Sequence, residues 1–377
     1  MNHDQSTRSA GGTRGLDPKW CLDPEVFELE KERIFLNAWI PIGYANQVAN
    51  AGDFYRTIIH QCEAVVVRDR ENQVRAFQNV CQHRGTQLCV ESTGNLKSAF
   101  ACPYHGWKYD LQGNLIAAPN MLDVEGFDPN QFGLPEFKVA EWNGLLFART
   151  PSDNQSGDSE LPVRRLDPIA HRYQLAEYQV VETVHYDVPA NWKLFFQNFN
   201  ECYHCPSVHP QLTPYSDYRD SANDFDAGEV LGGPMKIRDS AESLSVDGKF
   251  CGQIASQLPQ EEFRNARYYT VFPNLFVSFF PDYAMIHRLT PVSFERTRIE
   301  CDFLFHPETI QSDSFAPNRA VEFWDLTNRQ DWEMCERVQV GLSTPGFKPS
   351  PYSNLESLLV AFDEYYLSRM GMGRLEK

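Results

Sequence analysis

The chain is short of basic residues. Its 34 Lys and Arg stand against 51 Asp and Glu, a formal net charge of -17 over 377 residues. A nucleic-acid surface needs a basic patch that displaces phosphate counterions, so that class is excluded. Acidity of this size reads as a solvated surface that keeps the chain soluble, and identifies no partner. Long apolar runs are missing as well. The first twenty residues are polar and include Asp4 and Asp17, and no window approaches the ~20 apolar residues of a membrane span, so a cytoplasmic protein with no membrane contact is expected. Cysteine is sparse: ten residues are too few for a disulfide scaffold and read as thiols and metal ligands, with Cys21, Cys62, Cys251, Cys301 and Cys335 as small buried hydrophobes. There is no glycine-rich dinucleotide fingerprint and no flavin motif, so the chain cannot take hydride from a nicotinamide itself.

What is present is enough apolar residue, 42% with 13% aromatic, for two cores, since single cores stop growing near roughly 250 to 300 residues. Residues 1 to 16 are rich in Gly, Ser, Thr and Arg and suggest a flexible arm. Asp23 before Pro24 offers an N-cap and a first-turn proline for a helix of about three turns. From Ala38 the pattern changes to short β-branched and aromatic runs, Phe54 to Ile59, Ala64 to Arg68 and Val74 to Phe77, separated by turn chemistry. The polar stretch Pro151 to Leu161 reads as a linker. Beyond it, strands at 178–188, 275–280 and 298–305 mix with helical windows at 192–202 and 319–340. The expected division is an arm and helix over 1–37 packing on the second domain, an all-β domain over 38–150, a linker over 151–162 and an α+β domain over 163–377, its antiparallel sheet flanked by helices.

Two short corners in the all-β domain carry chemistry. Cys81-Gln82-His83 and Cys102-Pro103-Tyr104-His105 each offer one thiolate and one imidazole. Structural zinc sites put all four ligands on one ion and favour paired Cys knuckles. A Rieske two-iron two-sulfur cluster needs two Cys on one iron and two His on the other, and matched loops suit it. Cys89, between the corners, lacks a partnered His and reads as core.

In the second domain, ECYHCPSVH spans Glu201 to His209. His204 and His209 would diverge by about 140° on an unbroken helix, but Pro206 is expected to stop the helix so that both rings converge. A carboxylate would complete a face of two His and one acid that leaves open positions on a non-haem iron. Asp331 is the candidate, with Asp325, Glu333, Glu336 and Glu322 as competitors.

NVCQHRG with CPYHGW is similar to the Rieske signature. With NWKLFFQNFNECYHCPSVHP and NRQDWEMCERVQVGL, the chain from residue 20 on resembles the catalytic α-subunits of Rieske non-haem iron oxygenases. The resemblance implies an N-terminal all-β Rieske 2Fe-2S domain with Cys81, His83, Cys102 and His105 as ligands, and a catalytic domain with ferrous iron on His204, His209 and Asp331. It also implies O2 as co-substrate, a small-molecule substrate, NAD(P)H used only through a separate reductase, and a head-to-tail homotrimer. In that trimer Glu201 would link the iron centre to His105 of a neighbouring subunit. Glu at position 201, where ring-hydroxylating dioxygenases usually carry Asp, resembles the branch acting on quaternary ammonium compounds: the glycine betaine, carnitine and choline monooxygenases. Demethylation or C–N cleavage of such a compound is therefore expected. The alternatives are an aromatic-acid hydroxylase, with Arg288 facing the acid, and a non-enzymatic Rieske electron carrier. An aromatic cage would hold the ammonium. Tyr203, Tyr268, Tyr269, Phe272, Phe276, Phe279, Phe280 and Tyr283 are the available rings, and the sequence does not say which strand face lines the pocket.

Overall fold

The computed structural model describes residues 12–60, 62–151 and 160–373, and the chain divides into two compact units. The smaller runs from Phe35 to Leu161; the larger joins the N-terminal segment up to Ile34 to the chain from Pro162 onward. Residues 1–11 of the expected arm and 152–159 of the expected linker lie outside the described residues. Residues 12–16 are held in place, contrary to the flexible reading. Gly15 N–H donates to Ser350 O (3.3 Å), the Arg14 guanidinium donates to Pro349 O (3.0 Å), and Leu16 is buried. One buried leucine and a short backbone bridge outweigh the loop-like composition around them.

The smaller unit contains β1 (Ile40–Tyr44), β2 (Asp53–Ile59), β3 (Cys62–Arg68), β4 (Val74–Gln78), β5 (Thr93–Asn95), β6 (Ala99–Ala101), β7 (Lys108–Asp110), β8 (Leu115–Ala117), β9 (Glu136–Trp142) and β10 (Leu145–Arg149). Seven form a sheet in the order β1-β10-β9-β4-β3-β2-β5, and β6-β7-β8 form a second. The period of two along β3 divides its side chains between two cores. Ala64 and Val66 pack with Ile42, Tyr55 and Phe137, whereas Val65 and Val67 pack with Phe54, Phe77, Phe100 and Trp107. Cys81, Cys89 and Cys102 belong to the second of these cores.

The larger unit opens with α1 (Lys19–Leu22) and α2 (Pro24–Arg33), the latter capped as expected by Asp23, whose carboxylate accepts from Glu25 N–H at 2.8 Å. It continues with α3 (Asp167–Arg172), β11 (Gln179–Val188), α4 (Trp192–Phe199), α5 (Cys205–Val208), β12 (Ser216–Ser221), β13 (Phe225–Asp226), β14 (Val230–Ile237), β15 (Asn265–Val271), β16 (Leu275–Phe279), β17 (Ala284–Ser293), β18 (Arg296–Phe305), α6 (Pro307–Ile310), α7 (Asn318–Leu342) and α8 (Ser357–Arg369). The sheet is antiparallel in the order β11-β18-β17-β16-β15-β14-β12, with β13 paired to β14. No helix of the described residues is long and apolar enough to cross a membrane. Of the five cysteines expected as buried hydrophobes, Cys62 is exposed at the start of β3 and the other four are buried.

Candidate functional site

The two Cys/His corners fold into matching loops. Cys81 N–H donates to Thr86 O and Cys102 N–H to Trp107 O, both at 2.8 Å, while Gly85 N–H returns to Cys81 O (2.9 Å) and Gly106 N–H to Cys102 O (3.2 Å). Each turn closes on a glycine at φ of 75° and 73°, a left-handed conformation that costs glycine nothing. Both sulfurs are buried, and the His83 and His105 rings lie 4.6 Å apart. Trp107 stacks on His83 at 4.8 Å, and His83 Nδ1 is buried without a protein partner. Burial works to raise the Cys102 thiol, but the N–H groups of Tyr104 and His105 and hydrogen bonds with Cys81 and Thr86 outweigh it, so the pKa falls below the usual thiol value. Two buried thiols beside two clustered imidazoles, one with an orphan nitrogen, fit a two-Cys two-His cluster.

The second centre is built where α4 ends. The helix stops at Phe199, short of the expected Cys202, because the Glu201 carboxylate turns forward and accepts from the backbone N–H groups of Tyr203 and His204. Pro206 does not end a helix. It sits in the first turn of α5, where its missing N–H has no bond to lose, with His204 as the N-cap and His209 as the C-cap. The two rings, 5.2 Å apart, converge on Asp331: His209 Nε2 lies 2.9 Å and His204 Nε2 3.2 Å from Asp331 Oδ1. Asp331 comes from the middle of α7.

Each far ring nitrogen is held. His204 Nδ1 lies 2.5 Å from Glu201 Oε1, and His209 Nδ1 lies 2.8 Å from Gln330 Oε1, which Gln211 Nε2 also reaches at 2.7 Å. Asn198 Nδ2 donates to Asp331 Oδ1 at 3.1 Å. Burial alone would raise the Asp331 carboxyl, but His204 and His209 hold it down to about 2. Burial would lower His204, yet Asp331 and Glu201 push it up to about 10. The convergence that draws a proton to His204 suits a divalent cation equally well, which would displace that proton on binding.

Two of the competing acids are engaged elsewhere. Asp325 accepts from the Tyr186 hydroxyl (2.9 Å) and from Arg329, Glu333 pairs with Arg337, and Glu322 is exposed. Cys205 Sγ lies within 4.8 Å of the ring nitrogens of His204 and His209, but it is bonded to Cys202 and has no thiolate to offer. That disulfide departs from the reading of all cysteines as thiols or ligands. The bend after Glu201 brings the two Cα atoms to 5.0 Å, within bridging range. Gln330, Gln211 and Asn198 were not singled out from the sequence. Gln330 adjoins Asp331, and that adjacency is the one signal that could have flagged it.

A cavity of about 710 Å³ in the larger unit opens onto the His/Asp centre. Of the eight aromatic candidates, Tyr203 and Tyr268 line it, joined by Phe199 and Trp324. Tyr268 lies 6.1 Å from Phe199 and 6.1 Å from Trp324, and the indole N–H donates to the Tyr283 hydroxyl at 2.7 Å, fixing its plane. The face of β16 and its extension carrying Phe276 and Phe280 packs behind this corner: Phe276 stacks on Phe199 at 4.4 Å and Phe280 meets Trp324 at 5.2 Å. Neither reaches the cavity. Arg288 is also absent from its walls; Asp302 (2.9 Å) and Glu300 (3.0 Å) hold it. Gly232 and Gly233 also line the cavity, where β14 meets β15 and the 222–224 segment too closely for side chains. A Cβ on Gly232 would fall 2.0 Å from Tyr268 O, and one on Gly233 2.1 Å from Ala222 O.

Residues 175–372 match the family described as ring hydroxylating alpha subunit (catalytic domain), and residues 38–128 match the Rieske [2Fe-2S] domain. The chain belongs to the ring hydroxylating alpha subunit family. Its two domains imply a Rieske cluster and a mononuclear iron. Among relatives, it is 28% identical to the glycine betaine monooxygenase oxygenase subunit of Chromohalobacter salexigens, over 98% of this chain and 88% of that one. It is 36% identical to the carnitine monooxygenase oxygenase subunit of Escherichia coli (strain K12), over 52% of each chain. A solved quaternary ammonium Rieske monooxygenase superposes with a TM-score of 0.79 at 21% identity, covering 98% of both chains, a likeness that shows the fold.

Proposed function

We propose that this alpha subunit is the oxygenase component of a two-component Rieske monooxygenase that hydroxylates an N-methyl or adjacent carbon of a quaternary ammonium compound such as glycine betaine. The observation that carries the reading is the convergence of His204, His209 and Asp331 in a cavity walled by the rings of Phe199, Tyr268 and Trp324. A trimethylammonium group has no N–H to donate and is held by ring faces. Glu201 and Asp226 line the same walls with Arg219, while Asp224 is paired with Arg267 at 2.7 Å and Asp331 serves the metal in this reading.

In this reading His204, His209 and Asp331 hold ferrous iron on one face. The bound iron supplies O2 activation with electrons delivered through the Rieske cluster on Cys81, His83, Cys102 and His105. Gln330 and Glu201 keep the two imidazoles aimed at the metal, Asn198 steadies Asp331, and the aromatic corner keeps water from the ammonium. Hydroxylation of an N-methyl carbon gives a carbinolamine, which loses formaldehyde and leaves the demethylated amine; attack on the adjacent carbon gives C–N cleavage. Electrons come from a separate reductase drawing on NAD(P)H. The subunit is read as cytoplasmic and as one of a closed homotrimer, in which Glu201 faces His105 of a neighbouring subunit. Arg288, the cation expected for an aromatic acid, is held by Asp302 and Glu300 away from the cavity, so that reading would have to rest on Arg219 instead. A degenerate electron carrier would not need three converging donors in its second domain.

Iron analysis separates the carrier from the oxygenase: about three irons per chain for an oxygenase and about two for a carrier. With a reductase, NADH consumption that depends on glycine betaine, carnitine or stachydrine and is accompanied by formaldehyde or the cleaved amine is the expected result. Consumption driven by aromatic acids alone would overturn the reading.

A further inference from the structure

Resting on the quaternary ammonium reading, we propose that Arg219 binds the carboxylate of the substrate, so that the enzyme selects trimethylammonio acids over ammonium compounds without an acid group. Among the described residues lining the cavity, Arg219 is the one permanently charged cation, and it faces a wall otherwise furnished with carboxylates. Its guanidinium is lightly committed. Nε lies 3.6 Å from Asp217 Oδ1, the planar group rests over the Tyr218 ring at 5.2 Å, and the side chain is 68% exposed. Asp217, its carboxylate neighbour, is held more closely by Arg238 (3.0 Å), and a guanidinium fork matches a carboxylate with two parallel N–H···O bonds.

Its place in the sheet supplies the span. Tyr268 stands on β15 opposite Gly233 of β14, and β14 pairs in turn with β12, which carries Arg219 on the sheet edge. Two strand spacings, about 10 Å, therefore separate the strand bearing the aromatic corner from the strand bearing the guanidinium. The backbone between them is narrowed to glycine, with Gly233, Pro234 and Met235 in the cavity wall. Ser221 pairs with Met235 and Ser216 with Ile237, so Arg219 also stands further along β14 than Gly233, and a ligand seated against Tyr268, Phe199 and Trp324 would extend diagonally along this wall to meet it. The wall carries a single positive fork for the anionic end of such a ligand.

The test is binding to the iron-loaded protein by calorimetry, alongside KM and kcat. The ligands are choline, glycine betaine and trimethylammonio acids with two and three methylenes between nitrogen and carboxylate. For Arg219→Ala the dissociation constants of the acids are expected to rise about tenfold relative to that of choline, with KM moving and kcat largely held; Arg219→Lys recovers part of the loss. Equal losses for choline and the acids, or no loss, would overturn the assignment of Arg219 alone. If no quaternary ammonium compound binds the unsubstituted enzyme, the functional reading falls and the assignment with it.

Discussion

At the scale of single residues, the far nitrogens of the two imidazoles that meet at Asp331 divide the work. Gln330 accepts from His209 Nδ1 and is itself fixed by Gln211, so His209 presents Nε2 toward Asp331. Outer partners of this kind set ligand orientation and typically contribute 10- to 100-fold in metal affinity. Gln330→Leu is therefore expected to retain the Rieske spectrum while losing iron from the second centre about 10- to 100-fold more readily, read as iron content after dialysis against a chelator. Glu201→Gln should behave in the opposite way. Glutamine keeps an oxygen to accept from His204 Nδ1, so iron and cluster stay, while the yield of product from pre-reduced enzyme collapses if Glu201 links the centres. A normal yield would remove Glu201 from that path.

At the scale of elements, α2 is tied to the catalytic unit by a buried ionic knot. Glu30 Oε1 takes Lys193 Nζ at 2.5 Å and the Tyr366 hydroxyl at 2.6 Å, and Oε2 takes Trp192 Nε1 at 2.8 Å. Glu30 and Lys193 are both fully buried. Glu30→Ala strands an ammonium away from water, a loss of about 3–5 kcal/mol, and should lower the melting temperature by roughly 10 °C. Replacing Glu30 and Lys193 together by leucine and methionine should restore much of it; no recovery would mean that packing, and not the stranded charge, dominates. The sequence made α2 legible through Asp23 and Pro24, and the strands through runs such as Ala64 to Arg68, because caps and period-two patterns are local. It could not show where α4 ends, since that depends on the Glu201 side chain competing for the N–H groups of Tyr203 and His204. Nor could it show the Cys202–Cys205 bond or the Gln211–Gln330 pair, which exist only once segments distant in the chain or bent by side chains have met. The aromatic corner was half legible: Tyr203 and Tyr268 were among the candidates, but Phe199 and Trp324 lie on helices whose facing residues are fixed by packing.

For the whole molecule, the dependence of stability on pH turns on buried groups of the larger unit. Burial raises the Asp363 carboxyl to about 7 despite the Tyr352 hydroxyl (2.7 Å) and Gln197 Nε2 (3.0 Å) that donate to it, and burial raises Asp282 to about 6 against the Ser243 hydroxyl and Cys251 N–H. His287 shifts the other way, lowered by burial to about 4. Between the unfolded aspartate value near 3.9 and these raised folded values, the folded state keeps protons that the unfolded chain has released. The contribution of Asp363 and Asp282 is thus full below about pH 4 and is lost as pH rises through their folded values. For His287 the unfolded chain binds the extra proton, so its contribution is present above about pH 6.5 and is lost as pH falls toward 4. The two effects oppose each other up to about pH 6.5; above it Asp363 still titrates, against the Cys102 thiol, which is held low in the folded state and takes up a proton on unfolding. Carboxylates held low by surface partners, Asp187 and Asp217 among them, are ionised in both states there and leave the slope unchanged. Between pH 6.5 and pH 8 the urea midpoint of the iron-loaded protein should therefore drop relative to that of Asp363→Asn, which cannot ionise. Parallel slopes in the two proteins would assign the pH dependence to another group.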